Sequence, residues 1–528
     1  MLDGFVAWPE DDTRRYRREG YWTDSVLGEI IDAWVVKEPD RVAVSSTKKR
    51  LTYGEIDVLA TGFARGLQER GVRAGDSVVL QLPNIPEFIV VLLGLLRSGV
   101  RPVLALPSHR EFEIASFLQI TGARTLISPT TYLGFDYAGM AARLDLDLSI
   151  VVGRARPGHV LLDEVWADQG TLSRPDPSDV ALFLLSGGTT GGPKLVPRTH
   201  RDYLYNIRCS AENAELGPSD VYLAALPVAH NYALAAPGVL GTLHTGGRVV
   251  MAPPSGAAES FDLMTAERVT VTGLVPSMAL LWTEHLSRSQ QSLPRLRLMQ
   301  VGGDKLEADN ARRLMDVFSC RLQQSFGMAE GLLSQSRPDD SMETLATTQG
   351  KPISPADEVR VVDPHGVDVP PGQVGELLTR GPYTIRGYFR ADEANRRSFT
   401  PDGFLRTGDL ARLTDSGDLV IEGRIKDQIN KGGEKVSATE IEDLLAAHPG
   451  VLECAVVGVP ERISGERIHV FVSPQGESVT TADVVTFLRE RNVANYKLPD
   501  VVHNVPEFPR TGAGKVDKRR LREGVMRS

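Results

Sequence analysis

At 528 residues, the chain exceeds one ordinary hydrophobic core, so two or more domains are expected. Apolar residues make up 41% and charged residues 24%, a balance that excludes the disordered and fibrous classes. The formal net charge is -9, and no dense Lys/Arg run is present, which argues against nucleic acid as a partner held by long-range attraction.

The charged N-terminus, MLDGFVAWPEDDTRRYRREGYW, lacks the apolar stretch of a secretion signal. DRVAVSS (Asp40–Ser46) reads as a strand, YGEIDVLATGFARGLQERG as a helix and DSVVLQLPN as a strand. EFIVVLLGLLRSG follows as a helix and VRPVLALP as a strand. The most apolar run, Phe88 to Leu96, is too short to span a bilayer and is expected to be a buried helix. The alternation returns in RVVMAPP, VTVTGLVPSMALLWTEHL and LRLMQVGG, which predicts parallel sheets covered by helices. From about Asp357 to Arg424 the chain turns β-rich, with frequent Gly and Pro. Past it lies a small α/β unit: ATEIEDLLAAHPG as helix, VLECAVVGVP and IHVFVSP as strands, and TADVVTFLRERN as a helix capped by Thr481. The expected class is α/β, with a large N-terminal domain (1–426) of parallel-sheet and helix layers plus a β-rich subdomain. A small mobile C-terminal domain (427–528) completes it. Cys209, Cys320 and Cys454 are scattered and outside CxxC spacing, so reduced thiols in a cytoplasmic protein are expected, with no membrane partner.

The sharpest local signal is Ser186-Gly187-Gly188-Thr189-Thr190-Gly191-Gly192-Pro193-Lys194, directly after the apolar run ALFLL. Its glycines allow close backbone approach, and its hydroxyls and Lys194 can donate to phosphate oxygens. Neither GxxxxGK[ST] nor GxGxxG fits. The stretch resembles the signature loop of the acyl-adenylate-forming superfamily, and further signatures recur in family order from about Leu51 to Lys515.

That resemblance implies ATP and Mg²⁺ as cofactors. QSFGMAEG (Gln324–Gly331) resembles the motif that stacks adenine, with Phe326, Gly327 and Met328 at the nucleotide and Glu330 on Mg²⁺. A carboxylate beside a triphosphate needs a cation between them. Here Ala329 stands where the family usually has Ser or Thr. In FLRTGDL, Asp409 would take the ribose hydroxyls, which suits an ionised acceptor. GRIKDQINKGGEKV would place Arg424 at the ribose, Asp427 at the interdomain pivot and Lys435 at the thioester half-reaction. In PRTGAGKVDK, Lys515 would bridge the substrate carboxylate and the α-phosphate when the small domain closes.

LPVAHNYALAAPGVLG (Leu226–Gly241) resembles the stand-alone aryl-acid adenylating enzymes typified by 2,3-dihydroxybenzoate–AMP ligase of siderophore synthesis. LPSHR, PRTH, TRGPYTIRGY and KDQINKGGEKV support the match. It implies that His230 guards the carboxylate end, Asn231 bonds a substituent ortho to the carboxylate and Tyr232 packs on the ring. Gly302 and Gly303 would lie at the nucleotide and ring, and Leu333 resembles a salicylate-type variant. Several positions depart from the dihydroxybenzoate pattern: Ala236 for Ser, Gly273 for Ala, Ser325 for Val, Ser334 for Asn and Asp304 for Ala. Loss of the hydroxyl at Ala236 disfavours a substrate hydroxyl there. The expected acid is therefore larger or nitrogen-bearing: 3-hydroxyquinaldate, quinoxaline-2-carboxylate or a hydroxyanthranilate, as used to start nonribosomal peptide antibiotics. Dihydroxybenzoate or salicylate activation is the alternative. Thirteen residues follow Lys515, so the acceptor thiol is expected on a separate aryl carrier protein with a phosphopantetheine arm. An aryl-CoA ligase and a non-catalytic nucleotide-binding module are the rival readings, and a homodimer is left open.

Overall fold

The computed structural model describes residues 2–186, 194–289, 291–424, 428–461, 465–509 and 516–527, with Arg424 and Arg527 placed by backbone alone. They divide into two units. The first takes Met1–Pro107, Leu118–Leu185 and Leu195–Gly423.

Its larger sheet runs, edge to edge, through Lys351–Pro352, Gly331–Gln335, Arg321–Met328, Leu298–Gly302, Val271–Leu274, Val221–Ala224, Arg248–Met251, Val42–Ser45 and Arg50–Thr52. Six of these strands, from Arg321–Met328 to Val42–Ser45, pair parallel, and the edges turn antiparallel. A seven-stranded sheet carries Ser77–Leu80, Arg101–Leu104, Thr125–Pro129 and Leu148–Val152 as parallel neighbours. Helices Tyr53–Glu69 and Pro86–Arg97 contribute to one apolar core that draws on both sheets. The first starts at a reciprocal cap: Thr52 accepts from the Glu55 amide, and the Glu55 carboxylate accepts from the Thr52 amide at 2.8 Å. Pro86 opens the second, where its missing N–H costs nothing, and Phe88 to Leu96 is buried throughout, as the run predicted. Among the described residues no helix is long and apolar enough to cross a membrane. The β-rich region forms a four-stranded sheet, Glu358–Val362, Gly375–Arg380, Leu405–Leu413 and Leu419–Arg424.

The second unit, Arg424–Ser528 with Ser108–Phe117 and Ser186–Lys194, is built on a mostly antiparallel sheet centred on Gly465–Pro474. Its start at Arg424 lies three residues before the expected boundary, and it takes two segments expected in the N-terminal domain. Charge explains one of them. Lys497 lies 3.0 Å from Glu113 and 2.9 Å from Glu440, and all three side chains are buried or nearly so. A buried lysine needs such partners. Thr480, not Thr481, caps the helix Thr481–Glu490. Its hydroxyl accepts from the Asp483 amide at 3.2 Å, and Asp483 accepts from the Thr480 amide at 2.9 Å. Thr481 is the first helical residue, and its hydroxyl instead accepts from the Val502 amide.

In the first unit the N-terminal segment is pinned to the turn before Tyr383: Trp8 Nε1 donates to the Gly381 carbonyl and Trp22 Nε1 to that of Pro382. Trp8, Tyr16 and Trp22 join Tyr205, Cys209, Tyr383, Ala236 and Leu333 in one apolar cluster. Asp357 is half-buried beside it and accepts from the Tyr383 hydroxyl. Burial raises its carboxyl to about 7, well above the ordinary aspartate range. The folded state therefore holds this proton more tightly than the unfolded chain. Stability falls as pH rises from about 4 to about 7 and levels off above that window. Asp357→Asn is expected to remove this slope and to melt above the wild type at pH 8 but not at pH 4, as thermal melts across that range will read.

Candidate active site

The hairpin Arg321–Met328 to Gly331–Gln335 carries the QSFGMAEG motif on its turn. Glu330 is buried, its Oε1 accepts from the Tyr388 hydroxyl at 2.9 Å, and its carbonyl accepts from the Ile385 amide at 2.8 Å. Gly331 is required by close approach: a Cβ there would stand 2.5 Å from Thr384 Cα. The Ala329 carbonyl accepts from Arg198 Nη1 at 2.9 Å. Arg198 is fully buried and pairs through Nε with Asp202 at 2.5 Å. Asp202 in turn accepts from the Thr199 hydroxyl, at the start of the helix His200–Asn213. One buried ion pair thus supports the carbonyl next to Glu330. Asp409 is buried on the strand Leu405–Leu413, and its amide donates to the Thr407 hydroxyl at 3.0 Å.

His230 caps the short helix Asn231–Ala235, its Nδ1 accepting from the Tyr232 amide at 3.2 Å. Asn231 Oδ1 accepts from the Tyr203 hydroxyl at 2.7 Å. The Tyr232 ring lies against two glycines. A Cβ on Gly302 would come 3.2 Å from Tyr232 Cζ and 2.8 Å from the Ser325 carbonyl oxygen. A Cβ on Gly273 would come 3.1 Å from Tyr222 Oη and 3.7 Å from Tyr232 Oη. Tyr232 Oη is buried with no hydrogen-bond partner among the described residues. Below lies a buried polar network. Gln335 Nε2 donates to Ser325 Oγ at 3.2 Å and, like Gln300 Nε2, to the Ala236 carbonyl at 3.3 Å. Gln300 also donates to Gln323 Oε1 at 2.7 Å. Satisfying these amides against one another and the Ala236 carbonyl makes a polar floor tolerable in a core.

Residues 31–389 match the AMP-binding enzyme family, and residues 440–515 match the AMP-binding enzyme C-terminal domain. The chain belongs to this family. The 2,3-dihydroxybenzoate-AMP ligase of Bacillus subtilis (strain 168) is 48% identical over 99% of this chain and 98% of that protein. Triostin synthetase I of Streptomyces triostinicus is 47% identical over 99% of this chain and 98% of that protein. Among solved structures, the apo structure of Mycobacterium smegmatis MbtA superposes with a TM-score of 0.77 at 43% identity, covering 98% of both chains.

In this AMP-binding enzyme the first unit brings Tyr232, Gly273, Gly302 and Ser325 together, and Ala236 and Leu333 share the apolar cluster behind them. Ser334 is not among them. Ser325 pairs with Gln335 and Gly327 with Leu333, so these four share a face, while Phe326 and Ser334 pair on the other. The Ser334 hydroxyl donates to the Gly350 carbonyl at 2.8 Å, on the face opposite Ser325. Asp304 is exposed on the turn after Gly303 and accepts from the Lys305 amide at 2.8 Å, rather than entering the buried region. Ser186 ends the strand Val180–Ser186, and Lys194 opens Lys194–Thr199. Lys435 lies on the strand Glu434–Ser437, opposite Asn430. Gly187, Gly188, Thr189, Thr190, Asp427, Lys515 and the Arg424 side chain lie outside the described residues.

Sequence reasoning gave no role to Arg198, Tyr203, Tyr222, Gln300, Gln335 or Tyr388. A signal existed for the glutamines. Polar side chains inside apolar strands such as LRLMQVGG must find buried partners.

Proposed function

We propose that the chain activates an aromatic carboxylic acid as its acyl-adenylate and passes the acyl group to the phosphopantetheine thiol of a separate aryl carrier protein. The observation that carries this reading is the Tyr232 ring against Gly302 and Gly273, next to Ser325 and its buried glutamine partner on the hairpin that bears Glu330. The acid's carboxylate oxygen attacks the α-phosphorus of ATP and pyrophosphate leaves. The thiol sulfur then attacks the acyl carbon, AMP leaves and the thiol proton goes to solvent. A single carboxylate such as Glu330 fits Mg²⁺, which takes most of its oxygens from phosphates and water. When bound, Mg²⁺ offsets phosphate charge, and Tyr388 holds the Glu330 carboxylate in place. The cytoplasm, with its ATP, is the matching compartment.

For the acid itself, the wider reading is a bicyclic or nitrogen-bearing ring. Ala236 offers no hydroxyl. Ser325 Oγ already accepts from Gln335, so its own proton is left to donate to an acceptor such as a ring nitrogen. Gly273 acts less directly than its size implies. The room it leaves is bounded by the Tyr222 and Tyr232 hydroxyls, 3.1 and 3.7 Å from where a Cβ would stand. Gly273→Ala is therefore expected to press on the Tyr222 hydroxyl and to fill the space up to ordinary contact with Tyr232. In acid-dependent ATP–pyrophosphate exchange across mono- and bicyclic acids, the wild type should give its highest kcat/KM with a bicyclic or nitrogen-bearing acid. The alanine variant should shift the ratio toward monocyclic acids by about tenfold, on the scale of one or two methylenes in a pocket. A wild-type optimum at dihydroxybenzoate or salicylate would reject the wider reading. Comparing holo carrier protein with CoA as acceptor separates the carrier reading from an aryl-CoA ligase.

A further inference from the structure

We infer that Tyr203 is a specificity-determining positioning residue: its hydroxyl, donated to Asn231 Oδ1 at 2.7 Å, turns the Asn231 amino group toward the acid's ortho substituent. This rests on the aryl-acid reading above, in which Asn231 faces that substituent.

A carboxamide is nearly symmetric in shape, and turning it over exchanges a donor for an acceptor. What fixes its orientation is the partner. Tyr203 is fully buried on the helix His200–Asn213, and Asn231 Oδ1 is its hydroxyl's one hydrogen-bond partner among the described residues. Burial also raises the Tyr203 phenol well clear of neutral pH, so the hydroxyl keeps its proton. If the carboxamide turned over, Tyr203 would accept from the amide nitrogen and its own O–H would be left without an acceptor. An orphaned buried donor of this kind disfavours that orientation by roughly ten- to a hundredfold in population. Tyr203 cannot easily move to compensate. The Arg198 guanidinium lies over its ring, 4.7 Å from the centroid, and is itself held by Asp202 and the Ala329 carbonyl.

The chemical consequence concerns the ortho position. An amide N–H₂ pairs with an acceptor, such as a hydroxyl oxygen or a ring nitrogen. An aryl amine there offers N–H against N–H₂ and a conjugated lone pair that accepts poorly. Among the candidate acids this favours hydroxyquinaldate and quinoxaline types over ortho-amino types such as a hydroxyanthranilate.

The test is the ratio of kcat/KM for a matched pair, salicylate and anthranilate, in pyrophosphate exchange. The wild type should favour the hydroxy acid by about tenfold or more. Tyr203→Phe, which keeps the ring, should lose about tenfold of that preference, through KM for the acid and with KM for ATP unchanged. Asn231→Asp, which presents only acceptors, should move the ratio toward the amino acid. A thermal melt within a few degrees of wild type shows that the variants are folded. An unchanged hydroxy-to-amino ratio in folded Tyr203→Phe, whether or not overall activity drops, overturns the proposal, because a packing role would lower both acids together. No exchange by the wild type with any aromatic acid overturns the aryl-acid reading, and this inference with it.

Discussion

Lys515→Ala is expected to bind ATP normally yet to lose acid-dependent pyrophosphate exchange several-hundred-fold or more. The reason is electrostatic. The attacking carboxylate and the α-phosphate are both anionic, so their approach requires positive charge placed between them. The resemblance assigns that charge to Lys515. A preorganised contact to a developing oxyanion contributes about 3–4 kcal/mol of barrier, which corresponds to a loss of that size. The same resemblance assigns ATP binding to other groups, the glycine-rich loop and Asp409 among them, so a nucleotide titration should be little changed. Near-normal exchange in this variant would remove Lys515 from the adenylation step.

Arg198→Met is expected to be the most damaging change away from the reacting groups. Arg198 and Asp202 are both fully buried and joined at 2.5 Å. Removing one partner of a buried pair leaves the other charge uncompensated, at a cost of about 3–5 kcal/mol. Denaturant unfolding should show it as an earlier transition. The second consequence is local. The Ala329 carbonyl loses its donor at 2.9 Å, so the turn bearing Glu330 is less well held and exchange should fall even in the folded fraction. The double variant Arg198→Met/Asp202→Leu separates these effects, since replacing both charges with apolar groups is often tolerated. It should recover much of the stability but not the exchange. Wild-type exchange in the double variant would show that Arg198 serves the fold alone.

Helices and strands were legible because apolar patterning follows burial, and the unbroken apolar run Phe88 to Leu96, buried throughout, is the clearest case. Residues Gln324–Gly331 were legible as a unit through their resemblance to a family motif, and the structure carries them on one hairpin. The face that Ser334 occupies was decided by register. Neighbouring strand residues face opposite ways, and register shows that Ser334 shares its face with Phe326, not with Ser325. Gly273 could be read as extra room, but not as room taken up by Tyr222 and Tyr232, whose hydroxyls arrive from a neighbouring strand and a separate helix.

The sequence by itself determined the class of chemistry through its resemblance to the family, carried by contiguous motifs: the glycine-rich loop, Glu330, Asp409, Lys515 and the His230-Asn231-Tyr232 run. Only the tertiary structure decided how the described ones among those groups are held. Arg198 reaches Ala329 across 131 residues, Tyr203 reaches Asn231 from another helix, and Gln300 and Gln335 meet at the Ala236 carbonyl. Such partners are chosen by burial and register, since a buried polar group must be satisfied by whatever the fold brings within about 3 Å, and chain spacing carries no record of that choice.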